Sequence, residues 1–305
     1  MNILKKLPIP ISGAMLGVFA LGNLLSDYSI NIVSYSINPK LICGLIGLVF
    51  LILIIAKLLK FTEDFVNDLK NPVIASVSAT FLMSLIILSS YIAPFSIPIA
   101  ERLWFLSVLL FIVLISVFTY HFIIKKFNLE NIYASYYIVY IGIVIASVTS
   151  PLYNHINDGK IIFCFGLVSF IFLLIITAYR YLTLETPNQF KPLICINAAP
   201  FALLLLGYLK TYTSISYSFV VFMFVMSIIF YIFAIWKLIE YRNLPFYPSY
   251  SAYAFPFVVA ALSTKATAAY LGIIYLNYLS YIQTLIAIIL VSYVIVRYVV
   301  FLAKN

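Results

Sequence analysis

The residues of this sequence that are capable of acid–base, nucleophilic or metal chemistry sit almost entirely at the margins of long apolar runs. The nine acidic residues lie in the polar breaks or at the ends of the runs. The two histidines, His121 and His155, stand far apart, one near the end of the fourth run and one in the break after the fifth. Cys43, Cys164 and Cys195 fall in separate apolar runs with no motif spacing. They read as small buried hydrophobes, and a disulfide framework or cysteine metal site is not expected. A metal centre needs several convergent N, O or S ligands, and no such set is in view. No carboxylate pair, histidine cluster or Ser–His arrangement falls within a run. The expectation is a protein that is not an enzyme and needs no cofactor. Proton-driven carriers usually bury Asp, Glu or His in their relays, so that mechanism is also disfavoured.

What remains inside the runs is milder chemistry. Lys265 is the one cation well within a run, and an ionisable group at membrane depth is a functional candidate by default. Snorkelling to the membrane surface is its alternative. Small and hydroxyl residues concentrate in particular runs: Ser12, Gly13, Gly17 and Gly22 in the first, Ser76, Ser78, Thr80, Ser84, Ser89 and Ser90 in the third, Asn197 in the seventh, Ser263 and Thr264 in the ninth. The second run (LICGLIGLVFLILIIAKLLK) has no Ser, Thr or Pro. The eighth blurs the contrast with Ser216, Ser218 and Ser227. Such residues permit close helix packing, and they also suit the wall of a narrow aqueous path. Pro200 and Pro256 fall within runs seven and nine, where a mid-helix proline removes a backbone hydrogen bond and bends the helix. Phe255 precedes Pro256 and, taken alone, is one phenylalanine among 26.

Composition says what must position these residues. Of the 305 residues 65% are hydrophobic and 9% charged, far below the roughly 25% charged of soluble domains. The chain is built for lipid. A span needs about 20 apolar residues. Ten candidates follow: Pro8–Leu25, Leu41–Leu59, Pro72–Ile92, Leu103–Ile124, Ile132–Ser150, Ile161–Leu182, Pro192–Leu209, Ser216–Ile239, Ser251–Ile274 and Tyr278–Leu302. The basic start, Met1 to Lys6, resembles the first part of a signal peptide. Pro8, Pro10 and the absence of a cleavage pattern predict a retained first span instead. The whole of 1–305 reads as one transmembrane domain.

The formal net charge of +9 would suggest nucleic acid in a soluble protein; here topology accounts for it. Lys5, Lys6, Lys57, Lys60, Lys70, Lys125, Lys126, Arg180, Lys191, Lys237, Arg242, Arg297 and Lys304 fall on the side of the N-terminus, against Lys40, Arg102, Lys160 and Lys210 opposite. That bias predicts a multi-pass protein of the cytoplasmic membrane with both termini cytoplasmic. Odd-numbered runs begin near Pro10, Pro72, Tyr133, Pro192 and Pro248. The step of roughly 60 residues fits a two-helix unit repeated along the chain, and such hairpins could ring an axis with one helix of each inside.

Run nine carries a resemblance. Tyr253–Lys265 (YAFPFVVAALSTK) looks like the ninth-helix segment of the tellurite-resistance/dicarboxylate transporter family, which includes bacterial TehA proteins, plant slow-type anion channels and fungal malate and sulfite transporters. The first run (PIPISGAMLG), the Asn71-Pro72-Val73 opening of the third and the seventh (INAAPFALL) resemble their counterparts in order, over nearly the whole chain. Run five (SYYIVYIGIVIASVTS) departs from the pattern, with Val139 where relatives usually carry a kinking proline. Met15 likewise replaces a second proline of the first run, and the third has no internal proline. The resemblance implies an all-α fold of ten transmembrane helices as five hairpins in quasi-fivefold arrangement around a central pore. It further implies a homotrimer with one pore per subunit, an occluding gate at Phe255, and permeants such as chloride, nitrate, sulfite or a dicarboxylate. On that basis Ser12, Gly13, Ser76, Thr80, Asn197, Ser263, Thr264 and Lys265 are the pore-lining candidates. Competing readings are a secondary carrier of C4-dicarboxylates or sulfite and a membrane enzyme of lipid-linked substrates; for the latter, loops this short leave little room for an active site.

Overall fold

The computed structural model describes residues 3–27, 30–32 and 35–304. Its principal helices are α1 (Ile11–Leu24), α2 (Pro39–Lys60), α3 (Pro72–Ile92), α4 (Ile97–Phe118, prolonged by a π-helical turn at Thr119–Ile124) and α5, in two pieces (Tyr136–Tyr140 and Val144–Thr149). They continue with α6 (Ile156–Thr183), α7 (Pro200–Thr211), α8 (Tyr217–Glu240), α9 (Phe255–Leu271) and α10 (Ile274–Lys304). Starts are written in the sequence. Pro39 and Pro72 occupy first-turn positions, where a missing N–H costs nothing. Asn38 and Asn71 cap those helices, the Asn71 side chain accepting from the Val73 and Ile74 amides. Ser216 caps α8.

The fold is all-helical apart from a short antiparallel pair in the α1–α2 connection, β1 (Ile30–Ile32) with β2 (Tyr35–Ile37), registered Ile30 to Ile37. Among the described residues, eight helices are long and apolar enough to cross a membrane. The two remaining predicted spans are shorter. α1 has 14 residues, and α5 is broken and finished by a 3-10 turn at Ser150–Tyr153.

Neighbour relations among the helices follow the repeat. α1 packs on α3, α3 on α5, α5 on α7, α7 on α9, and α9 returns to α1. Each even-numbered helix lies against the odd helix before it; α4, α6 and α8 also touch the next odd helix, and α10 touches α1. Burial divides the two sets. The most apolar stretches of α3, α7 and α9 are 67–94% buried, those of α2, α4, α6, α8 and α10 only 28–39%. The outward faces of the second set are large apolar side chains such as Leu45, Ile52, Phe105, Phe172, Ile232 and Leu285. An exposed apolar belt of that extent is unsuited to water and suits lipid.

Three features of the odd helices differ from expectation. Pro200 and Pro256 do not kink continuous helices. Each stands in the first turn of an α-helix that follows a 3-10 stretch, Lys191–Ala198 before α7 and Pro248–Tyr253 before α9. A proline is pre-organised for that position, and in sequence it is indistinguishable from a kink. The fifth segment breaks without any proline, at Ile141–Gly142–Ile143. A Cβ on Gly142 would collide with the Ile138 carbonyl oxygen and lie 2.7 Å from Met83 Sδ, so both the break and the approach of α3 favour a glycine there.

Candidate functional site

Where the odd helices change course, they enclose a cavity of about 40 Å³. By the same measure one water needs roughly 10–15 Å³, so the space is narrow but larger than a packing defect. Every odd helix or its 3-10 extension contributes: Gly13 and Leu16 from α1; Val77, Thr80 and Met83 from α3; Tyr137, Ile138, Ile141 and Gly142 from α5; Ile196, Ala199, Pro200 and Leu203 around the start of α7; Ser251, Ala252, Phe255 and Pro256 around the start of α9. The wall is mostly apolar. Its side-chain polar groups are Thr80, Ser251 and Tyr137, whose hydroxyl bonds to Thr177 Oγ1. Phe255 is only 7% exposed, so its ring belongs to this wall and not to the lipid face.

The local sequence explains the close fit. A Cβ on Gly17 would fall 2.5 Å from Ala254 Cβ and 3.2 Å from the Phe255 nitrogen, and one on Gly13 2.9 Å from Ser251 Cβ. Two glycines one turn apart therefore let α1 touch the junction that presents Phe255. At that junction Ala254 has ψ −85°, well off the helical value of about −42°.

A wider space of about 420 Å³ opens on the side of the N-terminus and shares Val77 and Leu193 with the narrow cavity. Lys5, Lys6, Lys57, Asp68, Asn71 and Tyr247 line it. Lys57, 5% exposed, donates to the Leu7 carbonyl (2.7 Å) and pairs with Asp68 (3.1 Å). This fastens the segment before α1 to the end of α2.

Of the residues singled out in sequence, Gly13, Thr80, Pro200, Phe255 and Pro256 come together on the narrow cavity. The others lie elsewhere. The Ser12 hydroxyl donates to the Ile9 carbonyl and sits 2.7 Å from Thr80 Oγ1, joining α1 to α3. Ser76 Oγ lies 2.8 Å from Ser135 Oγ, joining α3 to the fifth segment. Asn197 turns back to the Ile194 carbonyl. Thr264 is buried farther along α9, and so is Ser263, whose hydroxyl has no partner among the described residues. Lys265 does not reach the cavity; its ammonium lies 2.7 Å from Asp27 Oδ2 and holds that carboxyl below its usual range. The fifth-segment residues Tyr137, Ile138, Ile141 and Gly142 escaped sequence reading. A lone glycine inside an apolar run was the available signal for them.

A helical membrane protein whose odd-numbered segments close a ring around one narrow, largely apolar cavity is a transport architecture. The family model of the voltage-dependent anion channel, SLAC1, matches residues 6–299, and the chain belongs to that family. It is the family that the run-nine segment resembles, and its members move anions across membranes. No curated protein matches the sequence.

Proposed function

We propose that this protein is a gated anion channel whose path runs through the ring of odd-numbered segments, with Phe255 as its plug. The observation that carries the reading is the single cavity to which all five odd segments contribute and in whose wall Phe255 stands, in a chain of an anion-transport family. The path starts in the basic space beside Lys5, Lys6 and Lys57, whose charge raises the local anion concentration. It then narrows past Thr80 and the N-terminal ends of α7 and α9. A helix N-terminus carries a partial positive charge and unsatisfied N–H groups, so these ends stabilise an anion without a fixed cation. Weak binding suits conduction, since an ion must leave as readily as it enters. With an apolar wall the cost of dehydration orders the anions, and large, weakly hydrated ones such as nitrate pass more readily than chloride.

In this reading the phenyl ring closes the constriction by excluding water, and opening requires a new Phe255 rotamer or a shift of the Ala254 junction. The bias of basic residues toward the side of the N-terminus supports both termini lying in the cytoplasm, and in this reading the assembly is a homotrimer with one path per subunit. Gly13 and Thr80 are wall residues. Ser12 and Ser76 hold the wall together, and Asn197, Ser263, Thr264 and Lys265 serve it from outside the constriction. The test is current across planar bilayers containing purified protein in symmetric nitrate or chloride. Phe255→Ala should raise anion conductance well above that of wild type, as expected when an apolar constriction that gates by dewetting is opened. Equal currents from variant and wild type would remove the gate. The secondary-carrier reading keeps one observation in its favour, the closure of the cavity to about 40 Å³. Unitary currents would rule it out, and saturable flux coupled to a proton gradient would establish it.

A further inference from the structure

Apart from the path, the described surface has a groove of mixed polarity. It lies between the ends of α6 and α8 on the side of the N-terminus, has a volume of about 550 Å³, and is within the size range of small-molecule sites. α6 and α8 both lean on the α7 region, which leaves a cleft between them floored by the 3-10 stretch at Lys191 and Ile194. Its rim faces lipid, with Leu182 and Trp236 largely exposed.

The groove is chemically sorted. Lys191 is half-buried and has no carboxylate within ion-pair distance among the described residues; its ammonium lies 5.8 Å from the Tyr241 ring centre. Lys237 sits 4.2 Å over the Trp236 ring and 2.8 Å from Glu240. The end of α6 and the segment that follows it, 182–186, form another part of the wall, with the Glu185 side chain exposed. That wall is fixed from behind. The buried Arg180 guanidinium donates to Thr186 Oγ1 (2.6 Å) and to the Glu185 carbonyl (3.1 Å), which leaves the Glu185 carboxylate uncommitted. Lys191, Lys237 and Glu185 line the groove; Glu240 lies beside Lys237 on α8 and brings these four groups to zero net charge, while Glu185 is the acid contributed from the α6 end. At the depth where a helix end meets the bilayer surface, aromatic and lysine side chains are at the level of lipid headgroups.

We propose that this groove is a headgroup site for a zwitterionic, primary-amine phospholipid of the phosphatidylethanolamine type. The phosphate lies on Lys191 and Lys237, the ammonium on Glu185, and the acyl chains run along the cleft between α6 and α8. A net-anionic headgroup leaves Glu185 facing negative charge. A choline headgroup fits the charges but has no N–H to donate. The proposal needs only the membrane location and is independent of whether the path conducts.

Native mass spectrometry of the purified protein tests it. The protein is given equal amounts of phosphatidylethanolamine, phosphatidylcholine and phosphatidylglycerol of distinguishable mass and then progressively delipidated. The wild type should retain phosphatidylethanolamine over the other two by about fivefold, the value of roughly 1 kcal/mol per partly exposed ion pair. Lys191→Gln should abolish that preference. Glu185→Gln should reverse it toward phosphatidylglycerol, a readout that general loss of structure cannot imitate. Equal retention of the three lipids by wild type, an unchanged preference in both variants, or displacement of the bound lipid by millimolar inorganic phosphate would each overturn the assignment.

Discussion

His155 stands between two carboxylates in the turn joining α5 to α6. Nε2 lies 2.9 Å from Glu101 and Nδ1 3.0 Å from Asp158, while the ring stacks on Trp104 at 5.5 Å. The Trp104 indole in turn donates to Thr149 at the end of α5. A neutral imidazole donates from one nitrogen only, and the cation donates from both, so the arrangement favours the charged form. The hydrogen bond to Glu101, seconded by Asp158, raises the His155 pKa above its ordinary 6.5 against a smaller desolvation effect. Arg102 shares the adjoining surface groove and is the other charge near this pair. Because the folded-state pKa is raised, the stabilisation is complete below about 6.5 and is lost as pH rises through the folded value. The melting temperature of the wild type in detergent should therefore fall by about 1–3 °C between pH 6 and 9 relative to His155→Gln, the scale of an exposed ion pair. Parallel profiles for the two proteins would refute the bridge. The hydroxyls show why side-chain chemistry was only half legible. Ser12, Ser76, Ser78, Thr80, Ser84, Ser89 and Ser90 all donate to carbonyls one turn back, as Ser and Thr in helices do. Their abundance in α3 goes with a well-buried helix, but a hydroxyl satisfied by its own backbone gives no sign of which neighbour it faces. Only Thr80 of that set lies on the cavity.

At the scale of elements, the apolar runs, their breaks and the roughly 60-residue step carried most of the fold. The places where regular helix gives way were less legible. Pro200 and Pro256 were seen as irregularities of the right helices, but the 3-10 stretches before them leave no mark of their own. The break at Gly142 has no proline at all. These are tertiary effects, in which a neighbouring helix supplies contacts that a continuous helix would have blocked. The α1–α9 contact makes the point testable. Gly17→Val places a branched side chain where even a Cβ meets Ala254 at 2.5 Å, and overpacking of this kind costs about 1–3 kcal/mol. The variant should melt several degrees lower and, since the displaced junction carries Phe255, should also leak anions. Gly272 is the contrast. It ends α9 with φ +66° and has nothing within 4 Å of a Cβ, so Gly272→Ala should cost about 1–2 kcal/mol of backbone strain and leave conductance unchanged. A Gly17→Val protein as stable and as tight as wild type would dissociate the α1 contact from the proposed gate.

For the whole molecule, what matters is where the ring closes. α9 packs on α1 within one chain, so the cavity is completed without a second copy, and a trimer adds no residue to its wall. The even-numbered helices form the jacket, and their exposed apolar faces meet lipid or a neighbouring subunit. If three subunits assemble, each encloses its own cavity, and the proposed conduction needs no ion to pass along the symmetry axis. Mixed assemblies of wild type and Phe255→Ala distinguish the two arrangements. With one path per subunit, macroscopic anion current should rise in proportion to the fraction of variant chains, and single assemblies should show up to three equal, independent conductance levels. A shared axial path would need several variant subunits before opening, so current would rise as a higher power of that fraction with one dominant level. Proportional current would place conduction inside each chain, between the odd-numbered helices, whereas a steep dependence would move it to the axis between subunits and leave Phe255 as a packing residue.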